Sequence, residues 1–511
     1  MRFARAWLYV ACSVALSQTA AADDARNLAA RVDAVLVARW AESGVRPAAV
    51  ADDGEFLRRV SLDLIGKIPT AAEARDFLDD PSPDKRQTLV ERLLDSPAYV
   101  TRATELWRRL LLPEADTEDQ ARQAAGGFEA WLRRKVAEEA GYDRIVREVL
   151  TAKLGGRNAD GLAVRADPSP AAYYAAKEGK PENLAAGVSR VFLGVRLECA
   201  QCHDHPFARW KREQFWGLAA FFAGVPPQGP EAVAAAPRDA ARMRELTIPG
   251  TKKVVQAGHL DGSPPAWRPR ADSREVLADW VTAAENPYFA RAVVNRIWAR
   301  FFGVGLVEPV DDMDAEAAPE FNPLLDELAG QFRSHGYDLK YLIRVVTATR
   351  AYNLSSAAAA AESSTPVFAV MPVRGLSAGQ LFDSLARATG TDAPEARARF
   401  LELFANRDER STEAQTSILQ ALTLMNGTYV AGATSPETGE ALGAVAEAPY
   451  LDTPGRIETL FLATLTRRPN PDELALLVRY VEAREAPGDR AKALGDVFWA
   501  LLNGPEFHLN H

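Results

Sequence analysis

Residues 128–150 read FEAWLRRKVAEEAGYDRIVREVL, and their spacing sets the fold class. Trp131, Leu132 and Val136 fall on one face of a helix, and after a break marked by Gly141 the residues Ile145, Val146 and Val149 do the same. A 3.6-residue period with charges on the other face predicts amphipathic helices that bury one side.

The same period extends outward in both directions. It runs from Asp24 to Glu42, around Phe56, Leu57, Val60, Leu62, Leu64 and Ile65, and through Leu89, Val90, Leu93 and Leu94 to Trp107 and Leu110. Thr70-Ala71-Ala72-Glu73 has the form of a capping box that starts a helix after Pro69. Asn183 to Leu197 and Lys211 to Phe222 are two more helical stretches, and the segment between them carries the cluster treated below. Helical spacing returns from Arg274 to Phe302, between Pro323 and Arg350, and from Leu376 onward. Ser355 to Pro366 reads as a linker. Glu245 to Ile248 and Lys253 to Gln256, separated by Pro249-Gly250, form the one clear hairpin pattern.

The expected fold is therefore all-α, a multi-helix protein of two domains with at most a small β-hairpin between them. The Pro, Gly and Ala run at Gly224 to Ala241 sets the first boundary. The expected division is 23–223 for an N-terminal helical domain, 224–270 for a linker with the hairpin, and 271–511 for a C-terminal helical domain.

With 511 residues, the chain exceeds one compact core, since a domain takes roughly 100 to 200 residues. A hydrophobic content of 47% and a charged content of 25% are those of an ordinary globular protein. The net charge of -9 excludes nucleic-acid binding through a broad basic surface.

Residues 1–22 read as a signal peptide: Arg2 and Arg5 are followed by an apolar run from Ala6 to Leu16 and the small residues Ala20-Ala21-Ala22. That run is shorter than the roughly 18 residues of a membrane span, and no other stretch approaches that length. Cys12 matches a lipoprotein signal only loosely. A periplasmic or secreted protein without a transmembrane segment in its mature form is expected.

Of three cysteines, Cys12 leaves with the signal, so Cys199 and Cys202 remain, with His203 directly after them. Two thiols and an adjacent imidazole in Cys199-Ala200-Gln201-Cys202-His203 match c-type haem attachment: the sulfurs add to the two vinyl groups and His203 reaches the iron as proximal ligand. A second reading takes Cys199, Cys202, His203 and His205 as zinc donors, although consecutive donors on so short a loop would be strained. A third is a disulfide between Cys199 and Cys202.

With haem bound, His205 reads as a hydrogen-bonding residue behind the ligand, and the candidates for the distal position are Met313, Met371, Met425, His259 and His335. Phe207, Trp210, Phe215, Trp216, Phe221 and Phe222 follow the motif as core or as a haem wall, core being the commoner use of such a stripe. Gly303-Val304-Gly305 lacks the third glycine of a dinucleotide fingerprint. Asp311-Asp312 reads as a solvated acidic turn before it reads as a cation site. No hydrolase constellation is visible, no catalytic residue is assigned, and whether the chain is an enzyme stays open.

Several segments together carry a resemblance. They are Phe56-Leu57-Arg58-Arg59-Val60-Ser61-Leu62-Asp63-Leu64-Ile65-Gly66, the cysteine cluster continued through Asp204-His205-Pro206-Phe207, Asn286-Pro287-Tyr288-Phe289-Ala290-Arg291, Gln420-Ala421-Leu422-Thr423-Leu424-Met425-Asn426-Gly427, and the segment from Trp499 to His511. In these the chain resembles the secreted proteins, abundant in planctomycetes, that join two domains of unknown function, the first named as cytochrome-associated (DUF1549) and the second DUF1553. The resemblance lends no established activity. Many such proteins also carry a separate cytochrome c domain with its own Cys-x-x-Cys-His, whereas this sequence holds one such motif.

The expected function is an exported c-type haem protein, engaged in electron transfer or redox sensing with a redox or protein partner in the cell envelope. The alternative is a secreted interaction or scaffold protein in which the cluster is a zinc site or a disulfide staple.

Overall fold

A computed structural model of the chain describes residues 23–154, 168–226, 243–313, 319–357, 368–391, 394–403 and 428–511. Residues 1–22, expected to be a signal peptide, Met425, and most of the 224–241 and 355–366 stretches lie outside the described residues.

The helices form where the periodicity places them. Asp119–Ala137 and Tyr142–Leu150 are separated at Gly141, and Phe128, Trp131, Leu132, Ile145, Val146 and Val149 are all buried. The capping box at Thr70 is complete, with the Thr70 hydroxyl accepting from the Glu73 N–H and Glu73 reaching back to the Thr70 N–H. The hairpin is present as an antiparallel pair, Glu245–Thr247 with Val254–Gln256, in the register Leu246 opposite Val255. A second two-stranded pair, Arg374–Gly375 with Leu509–Asn510, was not expected from the pattern. Strands of two residues are too short to show a period. The fold is mostly α, with these two small sheets as the β structure of the described residues. No described helix is long and apolar enough to cross a membrane.

The division into compact units differs from the consecutive one expected. Among the described residues, one unit takes 23–25 and those within 100–300 and 304–344; the other takes 26–99, 301–303 and those within 345–511. Nor is the 224–270 stretch only a connector. Ile248, Val255, Ala257 and Leu260 are buried, and the Gly258 N–H donates to the Gly217 carbonyl at 3.1 Å, so residues 243–270 are part of the first unit.

The second unit is closed by the helix Asp53–Ile65. Leu62 and Ile68 join a core with Leu381, Leu385, Leu460, Phe461, Phe498 and Phe507. Arg58 is fully buried, and its guanidinium donates to the carbonyls of Thr464 (3.0 Å), Phe507 (2.7 Å) and Leu509 (3.1 Å). Burial pushes Arg58 down to about 10, which leaves it charged at neutral pH. Arg59, also buried, donates to the carbonyls of Tyr352 and His511 and pairs with Glu55. Asp63 accepts from Arg374, from the Tyr352 hydroxyl and from Asn510. Three ionised side chains inside one helix are tolerated because each meets several hydrogen-bonding partners.

Candidate functional site

The cysteine cluster follows the helix Pro181–Phe192 in the first unit. Gly194 turns the chain with φ +62°, and a Cβ there would come within 2.9 Å of Met313 Cγ and 3.0 Å of Ala292 Cβ. Only glycine meets both demands. Asp311 accepts from Arg190 (2.7 Å) and from Arg196 (2.7 Å), and the Met313 N–H donates to the Gly194 carbonyl at 2.7 Å, so residues 311–313 brace the approach to Cys199. Asp311 is thus neither a solvated turn nor a cation site. Burial would raise its carboxyl, but the hydrogen bonds from Arg190 and Arg196 outweigh this and hold it below the ordinary value.

Cys199 lies in a short 3-10 turn, Glu198–Gln201. Ala200 is buried and anchors the turn, while Cys199 and Cys202 on either side are exposed free thiols. The Gln201 carbonyl accepts from the Trp216 indole at 3.0 Å and from Arg212 at 3.2 Å, which pins the turn to the helix Arg212–Ala219. Asp204 accepts from the Arg212 N–H and the Lys211 ammonium, each at 3.0 Å, and these bonds, the backbone one foremost, hold its carboxyl below the ordinary value.

His203 is exposed, and its Nδ1 lies 2.7 Å from the Asp204 carbonyl oxygen. A carbonyl can only accept, so Nδ1 carries the hydrogen and the lone pair is on Nε2. His205 is arranged the opposite way. Its Nδ1 accepts from the N–H groups of Phe207 (3.2 Å) and Ala208 (2.9 Å), which in the neutral ring places the hydrogen on Nε2. His205 is therefore disposed to hold the loop and not to ligate. Among the described residues, no three His, Cys, Asp or Glu side chains are gathered as a metal site.

The loop fits c-type attachment in its donor set: two accessible thiols flank one turn, and the imidazole after them has a free Nε2 oriented by a backbone hydrogen bond. Of the aromatic residues after the motif, Trp210, Phe215, Trp216, Phe221 and Phe222 are buried in the interior, and Phe207 is 96% exposed. The stripe is core except for that one ring.

The distal candidates separate by their surroundings. His335 meets the Gln331 carbonyl through Nδ1 at 2.8 Å and Asp24 through Nε2 at 2.9 Å, so both its nitrogens are engaged. Met371 is buried in the second unit. His259 is stacked between Phe221 and Trp280. Its Nδ1 faces Ser263 Oγ at 3.0 Å, while the Ser263 hydroxyl itself donates to Asp261 at 2.6 Å, which leaves the His259 Nε2 lone pair buried and unpartnered. Burial lowers the His259 pKa. Met313 is half-buried and lines a cavity of about 580 Å³ together with Arg209, Tyr288, Arg291 and Arg333. Sequence reasoning did not single out these polar wall residues as a site, although Tyr288 and Arg291 stood in a segment that carried the resemblance.

Residues 31–226 match the family model PSCyt2, described as a protein of unknown function (DUF1549), and residues 273–414 match PSD1, a protein of unknown function (DUF1553). No curated protein and no solved structure matches the chain.

Proposed function

This chain belongs to the family of proteins in which a DUF1549 domain is followed by a DUF1553 domain, and from that premise and the chemistry of its own loop we propose that it is an exported c-type haem protein that exchanges single electrons with a partner in the cell envelope. The observation that carries the reading is the His203 ring, whose Nδ1–H is spent on the Asp204 carbonyl so that Nε2 is presented as a base beside two exposed thiols. Cys199 and Cys202 hold the group, His203 is its proximal ligand, and His205 keeps the following turn in shape through the Phe207 and Ala208 N–H groups. A bound haem supplies one-electron chemistry at its iron. Export to the periplasm or the exterior is supported by Arg2, Arg5, the apolar run and the small residues of the first 22 positions.

The test is the absorption spectrum and pyridine haemochrome of protein matured in a host with a periplasmic haem-attachment system. A covalent c-type haem that disappears in Cys199→Ala and Cys202→Ala is the expected result. Fully matured protein without haem overturns the reading; zinc or a disulfide found at the two cysteines would then make the cluster a staple.

A further inference from the structure

Resting on the haem reading above, we propose that Phe207 is the apolar contact for the face or edge of the macrocycle held by Cys199 and Cys202. The ring is 96% exposed, whereas the five other aromatic residues after the motif are buried. Its exposure belongs to a fixed turn, not to a loose chain. The Phe207 and Ala208 N–H groups both donate to His205 Nδ1, and the His205 N–H donates to the carbonyl of Trp210, which is buried at 1% exposure. Pro206 restricts the backbone just before the ring.

The Asp204 carboxylate, although exposed, is already engaged. Asp204 is spent on Lys211 and the Arg212 N–H, at the start of the helix Arg212–Ala219. Besides polar side chains, the loop presents outward an exposed apolar Pro206-Phe207 pair, on the same loop as the thiols and the His203 Nε2. An apolar ring on a rigid turn, continuous with two anchoring thiols and a ligating nitrogen, matches a flat, largely apolar occupant anchored at those thiols. The occupant is the haem, and Phe207 is a positioning residue that shields it from water.

The experiment compares the full chain loaded with haem and the Cys199→Ala/Cys202→Ala double variant, both with ring-labelled phenylalanine, after haem content has been measured. Phe207→Ala assigns the signal. Ring resonances of Phe207 displaced by the macrocycle's ring current in the loaded protein, and at ordinary positions in the double variant, are expected. The loaded Phe207→Ala protein should also show a lower midpoint potential, because water at the haem edge favours the more charged oxidised state. Loaded protein in which the Phe207 resonances stay at their ordinary positions overturns this contact and leaves the haem reading standing. Phe207 signals that move only on addition of a protein partner overturn it as well. Protein that takes up no haem overturns both.

Discussion

His203 donates its Nδ1 hydrogen to the carbonyl oxygen of its own neighbour, Asp204, across 2.7 Å. Because this bond fixes the tautomer, the nitrogen that carries the lone pair, Nε2, is set by the loop itself. On the proposed haem reading, His203→Ala should keep covalent haem on Cys199 and Cys202, at reduced yield, but lose the proximal nitrogen, giving a spectrum changed in spin state. An unaltered low-spin spectrum in that variant would assign the proximal role elsewhere.

Gly194→Ala tests the approach to the motif. The new Cβ would meet Met313 Cγ at 2.9 Å and Ala292 Cβ at 3.0 Å, at a residue whose φ is +62°. Strain and overpacking together should cost about 2 kcal/mol. Chemical denaturation should show that loss, and on the proposed haem reading loading should fall with it because Gly194 precedes the cysteine turn. A variant as stable and as well loaded as the parent would remove the bracing role of residues 311–313.

Arg58 offers a test of the second unit. Its guanidinium satisfies the carbonyls of Thr464, Phe507 and Leu509 inside the protein. Arg58→Leu keeps apolar bulk but leaves those acceptors buried and unpaired, so a loss of about 3 kcal/mol or more is expected. Urea unfolding measures it; a loss below about 1 kcal/mol would show that the carbonyls find water instead.

Acid should weaken the fold through three histidines. His259, His508 and His511 are all pushed below the ordinary 6.5, in each case chiefly by burial, and for His508 and His511 also by the charge of Arg58. Unfolded, each takes a proton near pH 6.5; folded, each resists until a lower pH. Between those points the unfolded state holds more protons, so stability is complete above pH 6.5 and is lost as pH falls through the folded values. Melting temperature should therefore decline from pH 7.5 to 5.5, and the slope should be shallower in His508→Gln. A flat profile over that range would contradict the burial of these rings.

Much of the local structure could be read in the sequence because it rests on local rules. The break at Gly141, the box at Thr70 and Glu73, and the hairpin around Pro249-Gly250 each depend on residues a few positions apart. What could not be read is what joins distant residues. Arg58 meets Phe507 across 449 positions and Arg190 meets Asp311 across 121, and no period marks such partners. For this reason Asp311 read as a solvated acid, and the interleaving of the two compact units has no mark in the sequence.

The site divides in the same way. Cys199, Cys202 and His203 are candidates by their spacing alone. The opposite tautomers of His203 and His205 follow from how the loop folds back, with one ring meeting a carbonyl and the other meeting two N–H groups. Composition likewise gives no sign that, of six aromatic residues after the motif, Phe207 alone stays outside.

The clamp of Arg58 on Phe507 also sets an order of events when the chain is made. The helix Asp53–Ile65 leaves the ribosome 449 positions ahead of its partner, an interval of roughly 20 to 90 s at about 5–20 residues per second. Throughout that time Arg58, Arg59 and Asp63 have no interior to enter, while the unit spanning 100–300 and 304–344 is synthesised to its end before those partners arrive. A chain released before its last residues could finish the unit that carries the cysteines and leave the other unit open, so truncation near the C-terminus would expose residues 26–99 to proteases.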